Sequence, residues 1–152
     1  MLKFELDCSV GAAWAALRSP KVFRAVTTPF LTFSSLDPEG FPDSWDAGDH
    51  HVKVRGFGVI PLGEQVISIS YPDRGTDVRI VQDTGGGVEG AVALVTYWHH
   101  RMAVSPLPNG KTLFRDKLVF DVGPITLLTW PFVWLFWQWR GYGIRRFAPS
   151  WK

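Results

Sequence analysis

The sequence predicts a single α+β domain over residues 1–152, in which a twisted antiparallel sheet wraps around one long C-terminal helix. Three observations carry this expectation. The chain opens with strict two-residue alternation. Short alternating segments separated by Gly, Pro, Asn and Asp then follow one another from residue 52 to 120. The last part is an uncharged, aromatic-rich run of helical length. Strand, short helices, consecutive strands and a terminal helix is an α+β order, which disfavours a parallel nucleotide-binding sheet.

At 152 residues and 46% apolar composition the chain is large enough to close one core, which makes one domain the default. The net charge of +2, from 16 basic and 14 acidic residues, gives no global field for nucleic acid, so no nucleic-acid partner is expected. Cys8 is the only cysteine, which excludes an internal disulfide and a cysteine zinc site. A lone thiol fits a reducing compartment, and acidic residues interrupt the N-terminal pattern where a secretion signal needs an apolar run. A cytoplasmic protein is the expectation.

In order along the chain, Leu2, Phe4, Leu6 and Cys8 alternate with Lys3, Glu5 and Asp7 as a half-buried strand does. Ser9 caps a helix over Val10 to Leu17, and Ser19 with Pro20 starts a second through Thr27, which Pro29 ends. Leu36 to Gly48 reads as a loop. Val52 and Val54 form the next strand, with a turn placed at Pro61-Leu62-Gly63; Ile67, Ile69 and Tyr71 form another, and Pro72 to Gly75 is a turn. Val78 and Ile80 alternate with Asp77 and Arg79 and are read as helix-facing. Gly85 to Gly87 reads as a flexible break. It lacks the helix and lysine of a phosphate loop. Ala91 to Val104 reads as extended, its Tyr97 to Val104 part and Thr112 to Phe120 make the final hairpin, and Ile125 to about Phe147 the helix.

The helix is the informative element. Val122 to Trp139 is 18 residues without a charge, and Trp130, Phe132, Trp134, Phe136, Trp137 and Trp139 crowd its middle. Exposed together they would exceed the ordinary apolar patch of a monomer, so the sheet is expected to cover them. A membrane span is the competing reading, since the run approaches spanning length and Arg140, Arg145, Arg146 and Lys152 follow it. Pro131, Thr126, Thr129, Gln138 and the scatter of Trp through the run argue against it. A milder version is peripheral bilayer contact through the aromatic, basic C-terminus.

Trp45 with Gly48, the segment Phe57-Gly58-Val59-Ile60-Pro61-Leu62-Gly63, Trp98-His99-His100 before Pro106 to Gly110, Thr112-Leu113-Phe114-Arg115-Asp116, and the closing Trp139-Arg140 and Arg145-Arg146-Phe147 together resemble the SRPBCC superfamily, the START-like, helix-grip group that includes polyketide cyclase-related and lipid-transfer proteins. The resemblance spans about residues 2 to 148. It implies a seven-stranded sheet gripping the helix and a cavity for a hydrophobic ligand such as a lipid, isoprenoid or polyketide-like aromatic. It brings no catalytic set and no cofactor, and the fold hosts carriers and enzymes alike.

The hairpin supplies the candidate polar site. Pairing Val104 with Thr112 sets Met102 opposite Phe114, His100 opposite Asp116 and Trp98 opposite Leu118, all on one face. His100 and Asp116 then form a polar pair in an apolar interior, with three readings: a satisfied core pair that fixes register, a ligand anchor, or an acid–base pair of a cyclase or hydratase. The ligand is expected between Leu128, Phe132, Leu135 and Phe136 of the helix and Trp98, His100, Met102, Phe114, Asp116 and Leu118 of the sheet. Adjacent histidines diverge in a strand, so His50, His51, His99 and His100 are not expected to hold a metal. Arg79, Asp83 and Glu89 read as solvated charges, and Cys8 has no base beside it.

Overall fold

The computed structural model describes residues 1–73 and 75–151. Arg74, in the expected turn at 72–75, and Lys152, in the expected basic terminus, lie outside the described residues. The chain is α+β. Strand β1 (Leu2–Leu6) leads to α1 (Val10–Leu17) and α2 (Pro20–Thr27), whose Ser9 and Ser19 side chains accept from Ala12 N and Val22 N as N-caps do. Strands β2 (Leu31–Ser35), β3 (Gly48–Gly56), β4 (Ile60–Ser70), β5 (Arg79–Asp83), β6 (Gly86–Glu89), β7 (Tyr97–Pro106) and β8 (Thr112–Asp121) follow, and α3 (Thr126–Phe147) closes the fold.

The open antiparallel sheet has the order β1-β8-β7-β5-β4-β3-β2, with β6 also paired to β4. Among the described residues it holds eight strands, one more than the expected seven, since β2 and β6 are short and carry little alternation. The β3–β4 turn falls at residues 57–59, and Pro61-Leu62-Gly63 lies inside β4 beside a bulge at Val54/Arg55. Residues 91–94 form a short 3₁₀ turn instead of strand.

One sheet face takes the core. Leu6, Val52, Val54, Ile67, Ile69, Val81, Met102, Val104 and Phe114 pack beneath α1, α2 and the second half of α3. Val78 and Ile80 line a groove on the opposite face with Arg101 and Arg115, because Val81 and Asp83 are the inward members of β5. Gly85 is a packing residue rather than a flexible one: a Cβ there would stand 1.9 Å from the Val66 carbonyl oxygen.

Helix α3 is covered in its second half only. Trp137, Arg140, Gly141, Gly143 and Ile144 are buried, and Trp139 Nε1 donates to the Thr28 carbonyl at 2.8 Å. The first half emerges from the domain, leaving Leu127 87%, Leu128 73% and Phe132 76% exposed. Pro131 sits within this emergent part and has no N–H for the Leu127 carbonyl.

Candidate functional site

The hairpin register differs from the expected one by two residues. Pro106 pairs with Thr112, Met102 with Asp116, His100 with Leu118 and Trp98 with Phe120. A shift of two preserves which face each side chain takes. His100 and Asp116 are therefore diagonal neighbours on the inner face, and His100 Nε2 still donates to Asp116 Oδ1 at 2.9 Å.

A third member comes from the helix. Arg140 Nη1 donates to Asp116 Oδ2 at 2.7 Å, and Nη2 lies 3.0 Å from Met102 Sδ. Its guanidinium also stands over the Trp137 ring, 5.0 Å from the centroid. All three groups are sequestered, with Asp116 1%, Arg140 5% and His100 6% exposed. Burial alone would raise the Asp116 carboxyl pKa. The adjacent His100 and Arg140 charges, with the hydrogen bond from His100, outweigh it and hold the group below the ordinary carboxylate value. Asp116 as acceptor places the shared proton on His100 Nε2, and Nδ1 makes no hydrogen bond among the described residues.

Arg140 was not anticipated. Counting charges assigns it to a basic terminus, whereas helical phase does not: Trp137, Arg140, Gly141 and Ile144 repeat at i, i+3, i+4 and i+7 and share the buried face. Asp83 is likewise not a solvated charge. Its Oδ1 accepts from Ser68 N and Gly85 N and its Oδ2 from Trp98 Nε1, all at 2.9 Å, where β4 changes partner from β5 to β6.

His100 and Arg140, with Asp116 behind them, border a partly open, largely apolar cavity of about 100 Å³. Trp98, His100, Met102 and Phe136, four of the ten expected ligand contacts, line it, along with Val26, Phe33, Ile67, Trp137 and Arg140. Phe114 and Asp116 are fully buried behind this wall, and Leu118 is half-buried off it. Leu128, Phe132 and Leu135 stand outside in the emergent half of α3, because the helix is fixed at Trp137 to Ile144 and its first turns run past the domain. The half-buried lining residues Leu31, Gln65, Trp98 and Phe136 mark where the cavity meets solvent.

The remaining candidates fall elsewhere. His50 Nε2 approaches the Asp46 carbonyl at 3.0 Å while its ring packs on Trp45, and His99 meets Gln82 Oε1 at 3.0 Å on the outer face. Partial burial, with Asp7 nearby, pushes the Cys8 thiol pKa up despite a hydrogen bond with Thr112, the opposite of nucleophile activation.

The whole arrangement is similar to that of protein CV1439 from Chromobacterium violaceum, with a TM-score of 0.61 at 12% identity over 97% of this chain and 95% of that one. It is also similar to protein NE0264 from Nitrosomonas europaea, with a TM-score of 0.52 at 15% identity over 95% and 90% of the two chains. At such identities the likeness is one of fold. No protein-family model matches the chain, and no curated protein matches it. No helix among the described residues is long and apolar enough to cross a membrane.

Proposed function

We propose that the chain binds an apolar small molecule in the cavity beneath α3, as a START-like, helix-grip protein of the SRPBCC group would. The observation that supports this reading is a partly open apolar pocket with a buried polar corner, His100 and Arg140 on its wall and Asp116 behind them. That composition, apolar walls with a few convergent polar groups, is the usual one for small-molecule sites.

Volume and polarity narrow the ligand. About 100 Å³ is below the roughly 150 Å³ that holds benzene, so the enclosed part takes a short branch or one edge of a ring, and not a long lipid chain. Anything larger continues through the mouth past Phe136. In its neutral form, with the proton on Nε2, His100 offers Nδ1 as an acceptor, while Arg140 spends one donor on a weak sulfur acceptor. A ligand hydroxyl satisfies both by donating to the imidazole and accepting from the guanidinium. A ring bearing a hydroxyl is the best match.

Protein-observed NMR titration with phenol and toluene tests this. Phenol is expected to shift the Trp98 and Trp137 indole N–H signals at lower concentration than toluene, and His100→Leu to remove the difference. If neither probe moves those signals at millimolar concentration, the binding reading fails. The 2.9 Å His100–Asp116 contact also admits a second reading, acid–base chemistry of the cyclase or hydratase type. There His100→Ala abolishes turnover while binding stays measurable, and an equally active variant eliminates it.

A further inference from the structure

We infer that the emergent first half of α3, together with the β3–β4 turn, docks the protein onto a lipid bilayer. At 100° per residue, the exposed side chains Leu127, Leu128, Trp130, Phe132, Trp134 and Leu135 sweep an arc of about 200° around the helix. Thr126, Thr129, Val133 and Phe136 fill the remaining, half-buried stripe against the domain. A helix packed on one neighbour buries a stripe of roughly 100°. One partner chain would therefore leave about half of this arc wet, whereas a lipid interface surrounds a half-sunk helix on every side not facing its own protein.

Charge and placement agree with that occupant. No charged residue occurs from Val122 to Trp139. The β3–β4 turn adds Phe57, Val59 and Ile60, each more than half exposed, and Phe57 is held at φ 50, an uncommon backbone state for a bulky residue. The Phe30 ring contacts both Phe57 and Phe136, at centroid distances of 5.7 and 6.4 Å, so turn and helix share one side of the molecule. The emergent ten residues measure only about 15 Å at 1.5 Å per residue, too short to span, and so lie within the headgroup and upper acyl region. Trp130 and Trp134, stacked at 6.5 Å, suit that depth. This surface is distinct from the C-terminal basic segment first considered, where Arg140 is buried.

Because the surface is uncharged, attachment needs no anionic lipid and little depends on salt. The test is flotation of the full chain with phosphatidylcholine vesicles at low and high salt. Wild type is expected to float equally in both. Leu127→Asp and Phe132→Asp each lower the partition coefficient about tenfold or more, from the loss of one buried apolar side chain, and Arg145→Gln/Arg146→Gln has no effect. An unchanged urea midpoint for the Asp variants shows that their fold is intact. The inference is overturned if wild type stays with the unbound protein, whether it sediments as a monomer or as a dimer, the latter assigning the helix to a second copy. It is also overturned if flotation requires anionic lipid or is abolished by salt, or if the Asp variants float normally.

Discussion

Replacing Arg140 by Met keeps a straight apolar stem against Trp137 and removes only the charge. Asp116, 1% exposed, then loses the 2.7 Å bond that neutralises it. Breaking one side of a buried ion pair costs about 3–5 kcal/mol. At about 2–4 °C per kcal/mol for a chain of this size, the melting temperature falls by roughly 6–20 °C. Asp116→Leu strands the guanidinium and costs a similar amount. Additive losses for the double variant R140M/D116L would reach about 6–10 kcal/mol, twice the single range. Removing both charges leaves only the His100 N–H without its acceptor, about 1–3 kcal/mol. The double variant is therefore more stable than either single one, an interaction of several kcal/mol. Urea unfolding followed by far-ultraviolet circular dichroism, with the m-value checked for constancy, measures all three. A loss under about 1 kcal/mol for Arg140→Met, or an additive double variant, refutes the assignment of the trio as one mutually compensating unit.

Other outcomes follow from the same geometry. The folded-state pKa of Asp116 lies below its unfolded value, so its stabilisation is complete above about pH 4 and is lost as pH falls through the depressed value. The stability gap between wild type and Asp116→Asn should accordingly shrink with acidification below about pH 4 in denaturant titrations, and a gap that widens there contradicts the shift. Gly85→Ala drives a methyl into the Val66 carbonyl and should cost at least about 2 kcal/mol in the same assay. Gly143→Ala is expected to stabilise by about 0.5–1 kcal/mol, since its Cβ would rest 3.5 Å from Val26 and helix propensity improves.

Much of this architecture is legible in the amino-acid order because periodicity and caps report local physics. Ser9, Ser19 and Pro20 set both short helices, and the inner face of the final hairpin survives a register error because parity, not register, decides the face. Strand β2 is hidden because Leu31–Ser35 is five residues long and is defined by its pairing with β3. The turn at 57–59 is hidden because Pro61 and Gly63 look stronger as turn residues than Phe57 does. Three of the four proposed helix contacts lie outside the cavity for one reason: hydrophobicity says that Leu128, Phe132 and Leu135 seek cover, and only the anchor points of α3 determine whether the domain provides it. The charged members of the site were misread in the opposite sense, since Arg140 and Asp83 obtain partners through long-range packing that composition does not encode.

Pro131 divides α3 at an informative place. The missing N–H removes the rung that would tie it to Leu127, while the Trp139 bond to Thr28 and the Arg140 bond to Asp116 fasten the helix beyond it. The rod is thus fastened where it walls the cavity and lacks a rung where it emerges. A bend at the leading turn would leave the buried carboxylate undisturbed, so the proposed docking face and the proposed binding site occupy separable parts of one helix.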